Sequence, residues 1–392
     1  MTPVAHPAQI GRRLSVAIAA LALAVAACGG ATPTAAPTNA PATAAPPTGA
    51  PVTAAPATER PKPSGKIVVS NWDLYIPDGL VAAFTAETGV EVEYVKHTTN
   101  EDIVGKLEAS NGTGYDLVFV SAPFAEALGK RGWLETLDHS MFDNLGNLAP
   151  EAAQLGYDPG NTFSVPYTWG NTGLCYRTDL VPAAPTSWDD LLSPASGNEK
   201  KVTMLATDRW LLLPALVKLG YSINDTDQAH LEQARDILIE TKKHLLGYDD
   251  TTFYSKLVSG EANLVEAWDG WCNYGIADPT TGAKIAYVVP SEGTDIWSDT
   301  MVILGSSTNK PAAYAFIDYI LRPEVAKTVA EFTYYKVPNP AAMALLDAAL
   351  LTQFPNMAST PADLFKGEPE RDLGAAAPLW ADIVTQITSA GS

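Results

Sequence analysis

Three short runs of the chain set an indole beside a carboxylate: Trp72-Asp73-Leu74-Tyr75, Trp268-Asp269-Gly270-Trp271 and Ile296-Trp297-Ser298-Asp299. Aromatic faces attract a cation and cover its methylenes, and a carboxylate replaces the hydration an ammonium loses on burial. Together the runs predict a site for an alkyl ammonium. Taken singly, each tryptophan is as well explained as a core or rim residue, and carbohydrate sites use the same side chains. The sequence contains no Gly-x-x-x-x-Gly-Lys phosphate loop, His-Glu-x-x-His helix, Gly-x-Ser-x-Gly elbow or paired Cys-x-x-Cys ligands, so no catalytic residue, cofactor or metal is assigned. Glycoside hydrolases work with carboxylate pairs that leave no short signature. A secreted carbohydrate-active enzyme using Asp269 and Asp299 therefore stays open as an alternative.

These residues need elements to hold them. Lys66 to Asn71 is a short apolar run, Pro77 to Thr88 a helix carrying Leu80, Val81 and Phe84 on one face, and Glu91 to Val95 an alternating strand. Asn100 to Ser110 reads as a second helix and Asp116 to Ser121 as a third strand. This βαβαβ order predicts a parallel sheet flanked by helices. Ligands of such sheets lie beyond the carboxyl ends of the strands, where Trp72, Asp73, Tyr75, His97, Thr98 and Ser121 stand. A second α/β block follows Pro166, with strands over 174–176, 202–205, 263–268 and 286–290 and helices over 210–219 and 231–243. Helices over 317–332, with Pro323 near a start or break, and 341–351 close the chain.

The front of the chain is different. Arg12 and Arg13, an apolar stretch from Leu14 to Ala26 and small residues before Cys28 read as a secretory signal over 1–28. Val25-Ala26-Ala27-Cys28 resembles a bacterial lipobox, which makes Cys28 a lipidation site and the acyl chains a membrane anchor. Residues 29–63 are nearly all Ala, Pro and Thr, a spacer without core-forming side chains. No later run is long and apolar enough to span a bilayer. Of the 392 residues 46% are apolar, enough for a sizeable core, and the net charge of -19 argues against nucleic-acid binding. Acidity suits a cationic ligand. Outside a reducing cytosol Cys175 and Cys272 are free to form a disulfide, but the preferred reading is two small buried residues.

The motifs Asn71-Trp72-x-x-Tyr75-Ile76-Pro77, Tyr115-Asp116-Leu117-Val118, Pro166-Tyr167-x-Trp169-Gly170 and Leu321-Arg322-Pro323-Glu324-Val325-Ala326 resemble the spermidine/putrescine-binding protein family, colinearly from about Lys66 to Ala375. The resemblance implies a type II periplasmic-binding-protein fold: two α/β lobes closing on a small solute in the cleft between them. Lobe 1 is expected over 64–168 and 300–340, lobe 2 over 169–299, and a C-terminal helical segment packing on the lobes over 341–392. Crossings are expected at Pro166 to Asn171 and Trp297 to Met301. By the same resemblance Trp72, Tyr75, Trp268, Trp297 and Tyr335 line an aromatic box, Ser121 and Asp73 add polar contacts, and Asp299 meets an ammonium. The implied function is capture of a polyamine by a monomeric, lipid-anchored protein that delivers it to an ABC permease, without catalysis. The sequence departs from the pattern at Thr207 and Trp210, where spermidine binders carry Asp and Glu. It departs also at Pro123, where they carry Tyr, and at Glu370, where they carry Gln and which here offers a replacement carboxylate. A type II binder for another solute, such as an amino-acid derivative, another organic amine or a sugar, is the nearest alternative. Arg209 would then be the cation for an acidic group.

Overall fold

The computed structural model describes residues 60–194 and 198–391. The signal, Cys28 and most of the spacer lie outside the described residues. Two sheets organise the rest. The first contains β1 (Lys66–Trp72), β2 (Glu91–His97), β3 (Leu117–Ser121), β4 (Val165–Gly170), and the later β10 (Asp295–Ile303) and β11 (Glu368–Pro369). The second contains β5 (Thr172–Arg177), β6 (Val202–Met204), β7 (Gly247–Tyr248), β8 (Leu264–Trp268) and β9 (Ile285–Val288).

The expected βαβαβ opening is present. β1 pairs in parallel with both β2 and β3, and every residue of β3 is buried, as befits a central strand covered on both faces. Helix Leu80–Thr88 stops where Gly89 takes a left-handed φ of 74°, and Asn100–Ala109 starts where the Thr99 hydroxyl accepts from Asp102 N–H at 3.1 Å. The stretch expected as one helix over 317–332 is two, Lys310–Ile320 and Pro323–Thr333. Pro323 has no N–H to give the preceding turn and begins the second helix instead. The 341–351 stretch likewise divides into Pro340–Ala344 and Ala348–Gln353.

The chain passes between the sheets at three places. The first lies at Asn171, between β4 and β5, inside the expected range. The second lies at residues 289–294, between β9 and β10. The stretch from Trp297 to Met301, expected to cross, is instead part of β10, paired antiparallel with β3 and β4. The third was not foreseen. After β11 the chain returns to the second lobe, where helix Ala377–Ser389 buries Trp380, Ile383 and Ile387 in one core with Leu212, Leu216, Leu231 and Leu238. Burying such side chains is worth roughly 1.5–3 kcal/mol each, so this last helix is part of the lobe's core rather than an appendage.

Cys175 of β5 and Cys272 of helix Asp269–Ile276 are joined as a disulfide, with Cα atoms 5.7 Å apart. This corrects the preferred reading of two unpaired residues. Both are fully buried, as that reading required, but they face each other. Among the described residues no helix is long and apolar enough to cross a membrane.

Candidate functional site

Strand β10 organises the site because its side chains alternate, putting Asp295, Trp297 and Asp299 on one face. Asp299 lies opposite Ser121 of β3 and Thr168 of β4. Its Oδ2 accepts from the Tyr75 hydroxyl at 2.5 Å, and its Oδ1 accepts from the Ser121 hydroxyl at 2.7 Å. Both donors are braced. Tyr75 Oη is 2.7 Å from Thr168 Oγ1, and Asn100 both donates to Ser121 Oγ and accepts from Ser121 N–H. Asp299 keeps some accessible surface, yet enough protein surrounds it that burial raises its pKa, against the two hydroxyl bonds that favour the ionised form. One lone pair of each oxygen remains free for a donor.

The aromatic residues form two groups. Around Asp299, the Trp72 and Tyr75 rings lie 5.4 Å apart, Tyr75 and Tyr335 6.0 Å, and Tyr335 and Trp297 4.8 Å, all edge to face. On the second lobe Trp210 meets Trp268 edge to face at 4.8 Å. The groups are tied together at the hinge. Trp210 Nε1–H donates to Asp295 Oδ2 at 2.9 Å, and Asp295 also accepts from Thr172 N–H, the Thr172 hydroxyl and the Thr294 hydroxyl. Two glycines permit this closeness. A Cβ on Gly170 would lie 2.2 Å from Trp297 Cζ2, and one on Gly270 would lie 2.2 Å from Tyr335 Cδ1.

Not every expected residue joins this arrangement. Asp73 is exposed in the turn that follows β1, where the next residue, Leu74, takes a left-handed φ of 55°, and it pairs with Lys96 instead. Thr207 donates through its hydroxyl to Asp250 Oδ2 at 3.0 Å, and Ala206 N–H donates to Asp250 Oδ1 at 2.7 Å. Asp250 was not anticipated. Neither were Asp295, which the Asp-x-Trp-x-Asp alternation offered, nor fully buried Glu266, whose Oε2 accepts from Leu205 N–H at 3.1 Å. Arg209 is held by Ile223 O and Asn224 Oδ1 and covers the Trp380 ring at 5.4 Å.

Glu370 is buried, and its carboxyl is pushed up to about 8 by burial and by Asp295 and Asp299, against the Arg209 guanidinium. Between the ordinary 4.5 and about 8 the folded state holds a proton that the unfolded state has lost. Stability of the solute-free protein therefore falls through that window as pH rises. Glu370→Gln should remove this contribution. Urea unfolding of both proteins across the window should show the wild type losing stability relative to the variant, and parallel curves would place Glu370 in a more polar setting.

Residues 79–358 match the family model of bacterial extracellular solute-binding proteins. The chain belongs to this family. The solute-binding protein is 34% identical over 320 residues to the spermidine/putrescine-binding periplasmic protein of Salmonella typhimurium, covering 81% of this chain and 90% of the relative. It is 35% identical over 323 residues to the protein of that name from Escherichia coli, with the same coverage. Its fold superimposes with a TM-score of 0.74 on a putative spermidine/putrescine ABC transporter structure from Listeria monocytogenes, at 27% identity over 83% of this chain and 99% of the other. The two lobes of the solute-binding protein are thus those of the type II binding-protein fold.

Proposed function

We propose that this protein captures a polyamine in the cleft between its lobes and delivers it to the membrane subunits of an ABC importer, without catalysing a reaction. The observation that carries the reading is Asp299: a carboxylate with a lone pair free on each oxygen, fixed by Tyr75 and Ser121 and walled by Trp72, Trp297 and Tyr335. An ammonium needs acceptors, and its methylenes need aromatic faces. The relatives named for spermidine and putrescine point the same way. Glu370 is the second carboxyl in reach, close enough to Asp295 and Asp299 to feel both charges. With Thr207 engaged to Asp250 and Trp210 to Asp295, the proposed wall on the second lobe is aromatic rather than acidic, which suits few positive charges and a long hydrocarbon. Trp72, Tyr75, Ser121, Trp210, Trp268, Trp297, Asp299, Tyr335 and Glu370 are the residues proposed to meet solute. We place the protein outside the cytoplasmic membrane as a monomer, anchored through Cys28 and its spacer.

Isothermal titration with putrescine, spermidine, spermine and a monoamine tests this. One-to-one binding to a polyamine, with the monoamine much weaker, is expected. Absence of heat from all of them in folded protein would discard the polyamine reading.

A further inference from the structure

Beside the aromatic box lies a carboxylate that already holds a cation. Asp269 opens helix Asp269–Ile276 directly after Trp268, and its Oδ2 is in contact with the ammonium of Lys336. Both side chains are almost completely buried, at 4% exposure for Lys336 and 3% for Asp269. The residues come from different lobes. Asp269 follows β8 of the second sheet, whereas Lys336 bridges Trp169 of β4 in the first. Around the pair the chain is tightly knit: Asp269 N–H donates to Asn171 O at the first crossing, Asn356 Nδ2 donates to Asp269 O at 2.9 Å, and Lys336 Nζ reaches Asn356 O at 3.3 Å.

The pair touches the proposed site on two sides. A point at the Cβ position of Gly170 is 2.2 Å from Trp297 Cζ2 and 2.4 Å from Asp269 Oδ1, so the carboxylate and the indole edge are immediate neighbours. Gly270, next to Asp269, lies against the Tyr335 ring, and Lys336 is the residue after Tyr335. Lys336 also lines a cavity of about 260 Å³, together with Trp169, Met343, Leu351, Met357 and Thr360. The surroundings of Asp269 therefore resemble those of Asp299, with a carboxylate, an indole edge and a tyrosine ring, although Asp269 is buried and Asp299 keeps some accessible surface. The difference is that one carboxylate has its cation supplied by the chain.

We propose that Asp269 is a second primary-ammonium site, occupied by the side chain of Lys336 as a built-in alkyl ammonium. A lysine side chain is a butylammonium on a tether, and its head makes the same charge-assisted contacts as a free amine. Truncating it would leave the carboxylate and the Asn356 carbonyl without their cation, beside a cavity that Lys336 itself lines. For a polyamine solute, and resting on the function proposed above, the consequence is selectivity. Lys336 denies the solute this carboxylate and leaves Asp299 and Glu370 for its ammonium groups.

Chemical rescue tests the site without any polyamine. Lys336→Ala should melt below the wild type, and millimolar propylammonium should restore much of the loss while leaving the wild type unmoved. The double variant Lys336→Ala with Asp269→Asn should not respond. If Lys336→Ala fails to fold, Lys336→Met keeps the packing of the stem and lacks only the charged head; ammonium chloride should then stabilise it more than sodium chloride does. A lysine with a merely structural role predicts variants that respond to these cations no more than the wild type, and that result overturns the proposal. Because the probes are simple ammonium ions, the outcome stands apart from whether the wild type binds spermidine. Should it bind, a rise in the spermidine-to-putrescine affinity ratio in Lys336→Ala is expected, and an unchanged ratio would remove the selectivity role.

Discussion

Asp299→Asn should weaken binding of a cationic solute at least tenfold while leaving the melting temperature close to that of the wild type. The asymmetry follows from the hydrogen bonds. In the protein both carboxylate oxygens accept, one from Tyr75 and one from Ser121. An asparagine keeps one acceptor and turns the other into a donor. Tyr75 or Ser121 can rotate its proton away and accept instead, so the fold loses little. The solute has no such freedom, because an ammonium carries donors only. Removing one partner of a buried charge pair costs about 3–5 kcal/mol, which would carry the loss past a hundredfold. Titration calorimetry beside thermal melts of both proteins measures the two halves of the claim. Equal affinities would take Asp299 out of the site, and a collapsed melting temperature would make it a residue of the fold.

The second large effect concerns the disulfide. Cys175 and Cys272 are 97 residues apart in sequence, so the bridge closes a long loop of the unfolded chain. Chain-entropy reasoning assigns a loop of this length about 4.7 kcal/mol, and bridges typically contribute about 2–4 kcal/mol. It also fastens helix Asp269–Ile276, which begins with Asp269 and Gly270 against Tyr335, to β5. Replacing both cysteines by alanine should lower the denaturant midpoint by the corresponding amount and weaken solute binding in addition. Both sulfurs are buried, so reductant should act on the wild type only under conditions that already open the lobe. An identical midpoint for the wild type and the double variant would show that the bridge contributes nothing to stability.

What the sequence made legible was local. The alternation of strands, the stop at Gly89 and the start at Pro323 are written in a few adjacent residues, and each is found within a residue or two of its expected place. Adjacency to a tryptophan is weaker guidance. It pointed equally to Asp299, which the structure sets among Tyr75 and Ser121, and to Asp73, which the turn after β1 leaves exposed beside Lys96. Contacts between distant segments were the least visible. Lys336 sits in a loop whose sequence says nothing of Asp269, 67 residues earlier. The cysteine pair needed knowledge that β5 and helix Asp269–Ile276 pack face to face. The return of the last helix to the second lobe left only an amphipathic pattern, with no sign of which core it would complete.

That return places the two ends of the folded region on different bodies. β1 starts the first sheet, and helix Ala377–Ser389 ends in the core of the second lobe. Any pull exerted from the amino-terminal side acts on one jaw, whereas a label or fused protein at the carboxyl terminus rides on the other. A donor fluorophore near residue 60 and an acceptor near residue 390 would therefore read the bite of the molecule directly, with no probe inside the cleft.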